Sequence, residues 1–213
     1  DAAPIDDESC SKETLTFTYT GTLYADDTCL RDIAPLFKAL TELLINGKIE
    51  QNNILVEYAG NTPDLFLSAA KAFPNVPIKS YGLLKRSEAL ELQSNAGALV
   101  VCTWNTSEQK GVLTGKIFEY MRSGVPVIGL CSGDSPDSEL RRMIESCHIG
   151  MCYEEADDHS YEELKDYLCN LYKSWSDTGS TSLGEDARQL VTAYSYPVLS
   201  SKLARIIKDL VSS

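Results

Sequence analysis

The sequence has few histidines and lacks the cysteine spacings on which disulfide frameworks and zinc sites depend. Only two histidines occur in 213 residues, His148 and His159, and neither has a serine or cysteine nucleophile beside it. We therefore expect both to serve in capping or solvation rather than catalysis. The seven cysteines are odd in number and contain no Cys-x-x-Cys spacing, so neither a disulfide framework nor a zinc site is indicated. Such cysteines fit a reducing compartment, and we expect a cytoplasmic protein.

Basic residues are also scarce, with 19 Lys and Arg against 31 Asp and Glu and a formal net charge of -12 at pH 7. This charge argues against nucleic acid or an anionic membrane as the main partner, while leaving room for one cationic pocket. No apolar run approaches the roughly 20 residues of a membrane-spanning helix, and no signal peptide is visible. No Asp-x-Asp metal motif occurs either, since Asp26 and Asp27 are adjacent and more typical of a helix cap.

Short apolar runs alternate with helical patterns from Leu15 onward, which is typical of a parallel sheet with crossover helices. We predict a Rossmann-like, doubly wound α/β sheet of about six strands with helices on both faces. The predicted strands are 15–20, 53–58, 78–81, 98–103, 126–130 and 150–153. The predicted helices are 28–45, one from 62, 87–94, one capped at 114, 135–147, 161–175, 186–194 and 198–211. The last helix is amphipathic, and we expect it to pack back on the fold rather than on a membrane.

The chain is long enough for one domain with a sizeable core. Residues 1–14 have the composition of a linker, and the sequence does not open with Met. We therefore expect 1–14 to be a linker from a missing N-terminal domain. Residues 15–213 then form one Rossmann-like domain that includes the C-terminal helices.

Ligands of such sheets bind outside the carboxyl ends of the strands. The turns at Gly21, Gly60 and Gly82 and the loop 104–114 each follow a predicted strand. We therefore expect all four segments to meet at one edge of the sheet.

Residues 110–130 predict a loop, a short helix and a buried strand, with Thr114 capping the helix and Gly124 ending it. Lys116 then lies at the positive end of the helix dipole, which is unfavourable for a cation unless an anion binds there. Glu119 lies three residues further on the same face. A cation for phosphate beside a carboxylate for paired hydroxyls suits a sugar nucleotide. The simpler alternative is a solvated surface pair of Lys116 with Glu119.

A further pattern comprises Tyr19-Thr20-Gly21-Thr22-Leu23-Tyr24, Val56-Glu57-Tyr58-Ala59-Gly60, Ser80-Tyr81-Gly82-Leu83-Leu84 with Ser87-Glu88-Ala89-Leu90, and Gly115-Lys116-Ile117-Phe118-Glu119-Tyr120 with Gly124-Val125-Pro126-Val127-Ile128. In this order the segments resemble the nucleotide-sugar donor-binding, C-terminal domain of a GT-B fold retaining glycosyltransferase of the group 1 type. The resemblance covers residues 15–212 and is strongest at the last segment.

The resemblance implies a role for each of these segments. Glu119 would accept hydrogen bonds from both ribose hydroxyls, which suits a carboxylate because it only accepts. Lys116 would be the catalytic residue that neutralises the leaving diphosphate, without a metal ion or other cofactor. The other implied contacts are Gly21, Thr22 and the backbone N–H groups of Leu113, Thr114 and Gly115 at the phosphates, Gly82 and Leu84 at the base, and Glu108 to Gly111 at the donor sugar.

The chain departs from the family pattern in two places. The family often has a second glutamate eight positions before the ribose-binding one, and Gly111 stands there in this sequence. It also often has Arg and Lys after the first strand as a diphosphate clamp, and Thr22 and Asp27 stand at about those places. Lys116 and Lys110 would then have to supply more of the positive charge.

The resemblance implies transfer of a sugar from a nucleotide-diphosphate sugar to an acceptor, in polysaccharide or glycoconjugate synthesis. The missing N-terminal domain would bind the acceptor, and any peripheral contact with a membrane would run through it. The present chain alone would bind nucleotide and transfer no sugar. Two alternatives stay open at this point, half of a sugar-nucleotide epimerase and a non-catalytic interaction domain of the same fold.

Overall fold

The computed structural model describes residues 13–25, 30–111 and 113–211. Six parallel strands form one sheet in the order β3-β2-β1-β4-β5-β6. The strands are β1 (Leu15–Thr20), β2 (Ile54–Ala59), β3 (Ile78–Gly82), β4 (Ala98–Trp104), β5 (Val127–Ser132) and β6 (Gly150–Glu154). The order reverses between β1 and β4, which is the topological switch point of a doubly wound sheet. The predicted fold class is confirmed.

Helices cover both faces of the sheet. They are α1 (Ala34–Ile45), α2 (Pro63–Ala70), α3 (Arg86–Ser94), α4 (Lys116–Ser123), α5 (Glu139–Ser146), α6 (Ser160–Thr178), α7 (Glu185–Thr192) and α8 (Tyr196–Val211). Apolar residues of α1, α2 and α6 share one buried cluster with the sheet, and those of α4, α5 and α7 share a second. Because helices pack on both faces of the sheet, both faces of the central strands are buried, which explains their near-continuous apolar sequences.

Strand β4 shows this most clearly, because all seven of its residues are buried. Alternate residues point to opposite faces, so Val100 belongs to the first cluster and Leu99 to the second. Each fully buried aliphatic side chain of this kind contributes about 1.5–3 kcal/mol. The cysteines of the described segments are free thiols: Cys102, Cys131, Cys147, Cys152 and Cys169.

Two helices begin later than the sequence pattern predicts. α1 begins at Ala34, where the Asp32 carboxylate accepts its backbone N–H at 2.8 Å and a proline occupies the first turn. The predicted start at Thr28 and the predicted Asp26–Asp27 cap lie outside the described residues. α5 begins at Glu139, because Ser138 caps it by accepting the backbone N–H of Arg141 at 3.1 Å.

The expectation that the last helix packs back on the fold is wrong. The apolar stripe of α8 is 41–72% exposed and belongs to neither buried cluster. Helices α1, α2 and α6 pack on one face of the sheet and α4, α5 and α7 on the other, so the two buried clusters form without α8. The stripe consists of Leu199, Leu203, Ile206, Ile207 and Leu210. Among the described helices, none combines the length and the apolar character that crossing a membrane requires.

Candidate functional site

The turns that follow β1, β2 and β3 are bonded to one another. Gly21 donates its backbone N–H to Ala59 at 2.7 Å, and Gly60 donates to Gly82 at 2.8 Å. The Tyr58 hydroxyl donates to the Gly21 carbonyl at 2.8 Å. A Cβ at Gly60 would collide with that same carbonyl, so only glycine allows the turns to approach so closely. The prediction that these turns share one edge of the sheet is confirmed.

A cleft of about 340 Å³ opens above these turns, and we call it the first cleft. Helices α3 and α4 form its sides. Lys116 and Glu119 line it from α4, and Leu84 and Leu90 give it an apolar wall on the side of α3. The neighbouring Leu83 is 80% exposed, so this wall offers apolar surface to a ligand. Apolar surface beside a few convergent polar groups is typical of small-molecule sites.

Lys116 begins α4, and its side chain extends over Gly21. A Cβ at Gly21 would lie 2.5 Å from Cε and 3.1 Å from Nζ of Lys116, so the glycine leaves the room that the lysine occupies. Gly21 also has a φ of 139°, which favours glycine. Burial lowers the pKa of Lys116, Glu119 opposes this effect, and Arg31 lowers the pKa further. The partly desolvated ammonium therefore attracts an anion more strongly than a surface lysine does.

Glu119 lies one helical turn further and faces the same cleft, with its side chain 33% exposed. Its Oε1 lies 3.1 Å from Nη2 of Arg86, the first residue of α3. Among the described residues, this is the ion pair that Glu119 forms, and Lys116 is not its partner. The solvated Lys–Glu pair that was the simpler alternative is therefore not formed.

The floor of the first cleft is a buried hydrogen-bond network that the sequence did not indicate. The Thr20 backbone N–H donates to the Tyr120 hydroxyl at 3.2 Å, and the two hydroxyls lie 3.0 Å apart. Gln93 donates from Nε2 to the Thr20 hydroxyl at 2.9 Å. Burial raises the pKa of Tyr120 to about 12, so its hydroxyl stays protonated near neutral pH. The network joins α3 and α4 to the end of β1 and so orients both sides of the cleft.

Arg31 is a second cation near the site that the sequence analysis missed, although it is not among the lining residues of either cleft. Its Nη1 lies 3.3 Å from the carbonyl of Thr22, and its guanidinium lies 4.7 Å from the Tyr24 ring and 5.7 Å from the Trp104 ring. Its Nε is buried without a hydrogen-bond partner within the described residues. The sequence did contain a signal for this residue, because Arg31 is the only Lys or Arg between β1 and α1 and follows the first strand, where phosphate contacts were expected.

Gly111 and Leu113 lie apart from Lys116, in a second cleft of about 200 Å³ beyond the ends of β4 and β5. Lys110 also lines it. A Cβ at Gly111 would collide with the Trp104 carbonyl, so a glutamate does not fit this backbone without a shift. Asn105 bridges the two loops of this cleft by donating from Nδ2 to the carbonyl of Ser135 at 2.8 Å.

The sequence-predicted residues thus fall into three groups. Gly21, Thr22, Leu84, Lys116 and Glu119 line the first cleft, Gly111 and Leu113 line the second, and Gly82, Thr114 and Gly115 are not among the lining residues of either.

Two of the three non-lining residues have clear structural roles. Gly82 has a φ of 65° and accepts the Gly60 N–H. Gly115 is the N-cap of α4, so the prediction that Thr114 caps this helix is wrong. Thr114 lies one residue too early, and its carbonyl rather than its hydroxyl accepts the N–H of Ile117 at 3.1 Å. Gly124 ends α4 with a φ of 69°, as predicted.

The histidines lie outside both clefts. His148 lies 3.1 Å from the Asp186 carboxylate in an exposed pair, and His159 precedes the first turn of α6. Within the part of the chain that the structure describes, no three His, Cys, Asp or Glu side chains converge as a metal site.

No family model and no curated protein matches the chain. Solved structures do match. WaaG, a glycosyltransferase involved in lipopolysaccharide biosynthesis, is similar with a TM-score of 0.55 and 18% identity over 92% of this chain and 48% of WaaG. A mutant of S. aureus TarM in complex with fondaparinux, alpha-GlcNAc-glycerol and UDP is similar with a TM-score of 0.60 and 14% identity over 96% of this chain and 37% of TarM.

The alpha,alpha-trehalose 6-phosphate synthase of Burkholderia multivorans has a TM-score of 0.59 and 10% identity, over 94% of this chain and 44% of the synthase. The chain thus spans less than half the length of each of these three proteins. Identities this low show the fold alone. The chain has the Rossmann-like fold of the C-terminal domain of a GT-B glycosyltransferase.

Proposed function

We propose that this domain binds a nucleotide-diphosphate sugar and is the donor-binding half of a glycosyltransferase. The observation that carries the proposal is the ammonium of Lys116 over Gly21, with the carboxylate of Glu119 in the same cleft. These groups match the two polar parts of a nucleotide, its phosphates and its ribose diol. The description of TarM as a complex with UDP supports the same class of ligand.

The layout of the edge supports one extended ligand. The nucleoside would lie in the first cleft, with its base against Leu84 and the adjoining turn of Gly82 and with its ribose at Glu119. The diphosphate would meet Lys116 and the backbone N–H groups of residues 113–115 at the start of α4. Arg31 contacts Thr22 on one side and Trp104 on the other, so it lies between the two clefts. The donor sugar would then extend toward Gly111 in the second cleft.

The chemistry would follow from this arrangement. As the glycosidic bond to the diphosphate breaks, negative charge grows on the leaving phosphate oxygen. Lys116 is the catalytic residue in this proposal because its ammonium, with Arg31, would stabilise that charge in a partly desolvated site. No metal ion or other cofactor is needed in such a step. The configuration at the anomeric carbon would be retained, as in the enzymes that the sequence resembles.

Acceptor binding would belong to a further, N-terminal domain, and any peripheral membrane contact would run through that domain. The acceptor would be part of a polysaccharide or glycoconjugate, and the reaction would take place in the cytoplasm. The domain formed by residues 15–213 would therefore bind nucleotide but catalyse no sugar transfer alone. Measurable sugar transfer by the purified chain would contradict this part of the proposal.

Calorimetric titration with UDP, GDP and ADP tests the proposal. We expect one nucleoside diphosphate to bind and Glu119→Ala to weaken it about tenfold or more, because hydrogen bonds to charged groups contribute about 1.5–3 kcal/mol. Glu91→Ala is the matched control, since Glu91 is an exposed carboxylate on α3 that does not line the cleft.

The outcomes separate the remaining hypotheses. Equal and weak binding by the parent chain and Glu119→Ala would favour a non-catalytic interaction domain that has lost its ligand. WaaG, which has a similar fold, is described as a glycosyltransferase, and this supports sugar transfer over the epimerase alternative.

A further inference from the structure

The Arg86–Glu119 ion pair occupies the carboxylate that the proposed function assigns to ribose. Both residues line the first cleft, and Nη2 of Arg86 lies 3.1 Å from Oε1 of Glu119. Arg86 is 79% exposed and Glu119 33%, so solvent and ligand can reach the pair. A vicinal diol would donate to both oxygens of this carboxylate, and Oε1 already accepts from the guanidinium. Ribose and Arg86 therefore compete for the same hydrogen-bond acceptor.

Helix α3, which carries Arg86, has few other attachments to the fold. Gln93 is its only buried residue, and Gln93 is held by its hydrogen bond to Thr20. Helices with few buried apolar contacts open more easily than the core. The ion pair with α4 is therefore one of the few contacts that hold the first turn of α3 beside the cleft.

We propose that Arg86 is a positioning residue that sets nucleotide affinity, because it holds Glu119 in the ligand-free cleft and ribose must displace it. The proposal rests on the proposed function of Glu119. Binding of the nucleotide exchanges the guanidinium for the ribose hydroxyls and releases the first turn of α3. Removal of Arg86 frees Glu119 in advance and so strengthens binding.

The comparison that isolates this effect is Arg86→Ala against Lys85→Ala. Both variants remove one positive charge at adjacent positions, so both lose the same long-range attraction to an anionic nucleotide. Lys85 is exposed and forms no ion pair with Glu119 in the described structure. At 0.15 M salt we expect Arg86→Ala to bind UDP about twofold to fivefold more tightly than Lys85→Ala, the range for an exposed ion pair.

A second background shows whether Arg86 acts through Glu119. Glu119→Gln keeps one acceptor oxygen and removes the charge, so nucleotide binding stays measurable. In the Glu119→Gln background, Arg86→Ala and Lys85→Ala should bind UDP equally well. With Glu119 present, Arg86→Lys keeps a cation beside the carboxylate and should bind UDP with the affinity of the parent chain, unlike Arg86→Ala. Weaker binding by Arg86→Ala than by Lys85→Ala would show direct contact with the ligand and overturn the proposal. A gain that persists in Glu119→Gln would also overturn it.

Hydrogen exchange on the ligand-free protein tests the ion pair without any nucleotide. Arg86→Ala and Glu119→Gln should each speed amide exchange in α3 about twofold to fivefold, and the double variant should add nothing. Amide exchange in α5, which borders the second cleft and not the first, serves as the internal control. If the parent chain binds none of the nucleotides, the proposed function fails, while unchanged exchange in α3 defeats the Arg86 proposal itself.

Discussion

The close packing of Lys116 over Gly21 makes Gly21→Ala the most direct test of the site geometry. The new Cβ would lie 2.5 Å from Cε of Lys116 and 3.1 Å from its Nζ. Real Cβ atoms do not tolerate the shorter distance, so the lysine side chain has to move. The movement displaces the ammonium from the position above the turn where a diphosphate would meet it.

Two separate costs follow from this substitution. The backbone at Gly21 has a φ of 139°, and a non-glycine residue in such a region costs about 1–3 kcal/mol of stability. Displacement of Lys116 would also remove the charge-assisted hydrogen bond that the proposed function gives it with the nucleotide, and such a bond contributes about 1.5–3 kcal/mol. We therefore expect nucleotide affinity to fall roughly tenfold to a hundredfold, in addition to the loss of folding stability.

Gly47→Ala separates the two costs. Gly47 also has a positive φ, 63°, but nothing lies within 4 Å of a Cβ built there. It precedes β2, whereas the first cleft lies beyond the carboxyl end of that strand. Chemical denaturation should show a loss of about 1–2 kcal/mol for Gly47→Ala, and calorimetry should show unchanged UDP affinity. Gly21→Ala should lower both quantities.

The Lys116→Ala background checks the steric part of the reasoning. With the lysine truncated, the alanine at position 21 meets no Cε or Nζ, so its cost in unfolding free energy should shrink to the backbone term. An equal cost in both backgrounds would mean that the contact with Lys116 adds nothing to the folding cost of Gly21→Ala. Parent-like UDP affinity in Gly21→Ala would refute the proposed role of this lysine position in binding.

Three further results are expected. Burial lowers the pKa of Lys116, and a bound diphosphate would raise it again, so nucleotide binding at pH 9 should be accompanied by proton uptake. Calorimetry in buffers of different ionisation enthalpy measures this uptake, and Lys116→Ala should lack it. Tyr120→Phe leaves the buried backbone N–H of Thr20 without the hydroxyl that accepts it, while the Thr20 hydroxyl keeps its bond from Gln93, and the unfolding free energy in urea should fall by about 1–3 kcal/mol. Burial opposes ionisation of Glu154, but hydrogen bonds from Ser138, Asp137 and Arg141 hold its pKa below the ordinary 4.5. This carboxylate therefore stabilises the fold above pH 4.5, and the benefit is lost as pH falls through its lowered pKa, so acid titration should reduce the stability of the parent chain more steeply than that of Glu154→Gln.

The fold could be predicted from the sequence because parallel strands leave a strong local pattern. All six strands begin and end within two residues of the predicted bounds, since each is a short apolar run that stops at a turn. The meeting of Gly21, Gly60 and Gly82 follows from the same topology. The first residue of a helix is harder to predict than a strand. Thr114 and Gly115 are both suitable N-cap residues for α4, and only the backbone conformation shows that Gly115 is the N-cap.

The side-chain partners at the site could not be predicted in the same way. Glu119 pairs with Arg86 across 33 residues, and Gln93 bonds Thr20 across 73, so no local spacing reveals either contact. The position of Arg31 depends on how the segment after β1 returns to the sheet. The amphipathic pattern of α8 shows that one of its faces is apolar, but it does not specify what that face contacts.

Arg31 also changes how the departures from the family pattern are understood. The sequence comparison found Thr22 and Asp27 where the family often has a basic clamp, and it left Lys116 and Lys110 to supply the positive charge. In the structure Lys110 lines the second cleft, whereas Arg31 lies against the carbonyl of Thr22 and near enough to Lys116 to lower its pKa. Two cations close together cost free energy unless an anion lies between them. In the proposed function, the diphosphate of the nucleotide would offset this cost, and Glu119 offsets part of it at Lys116 in the ligand-free site.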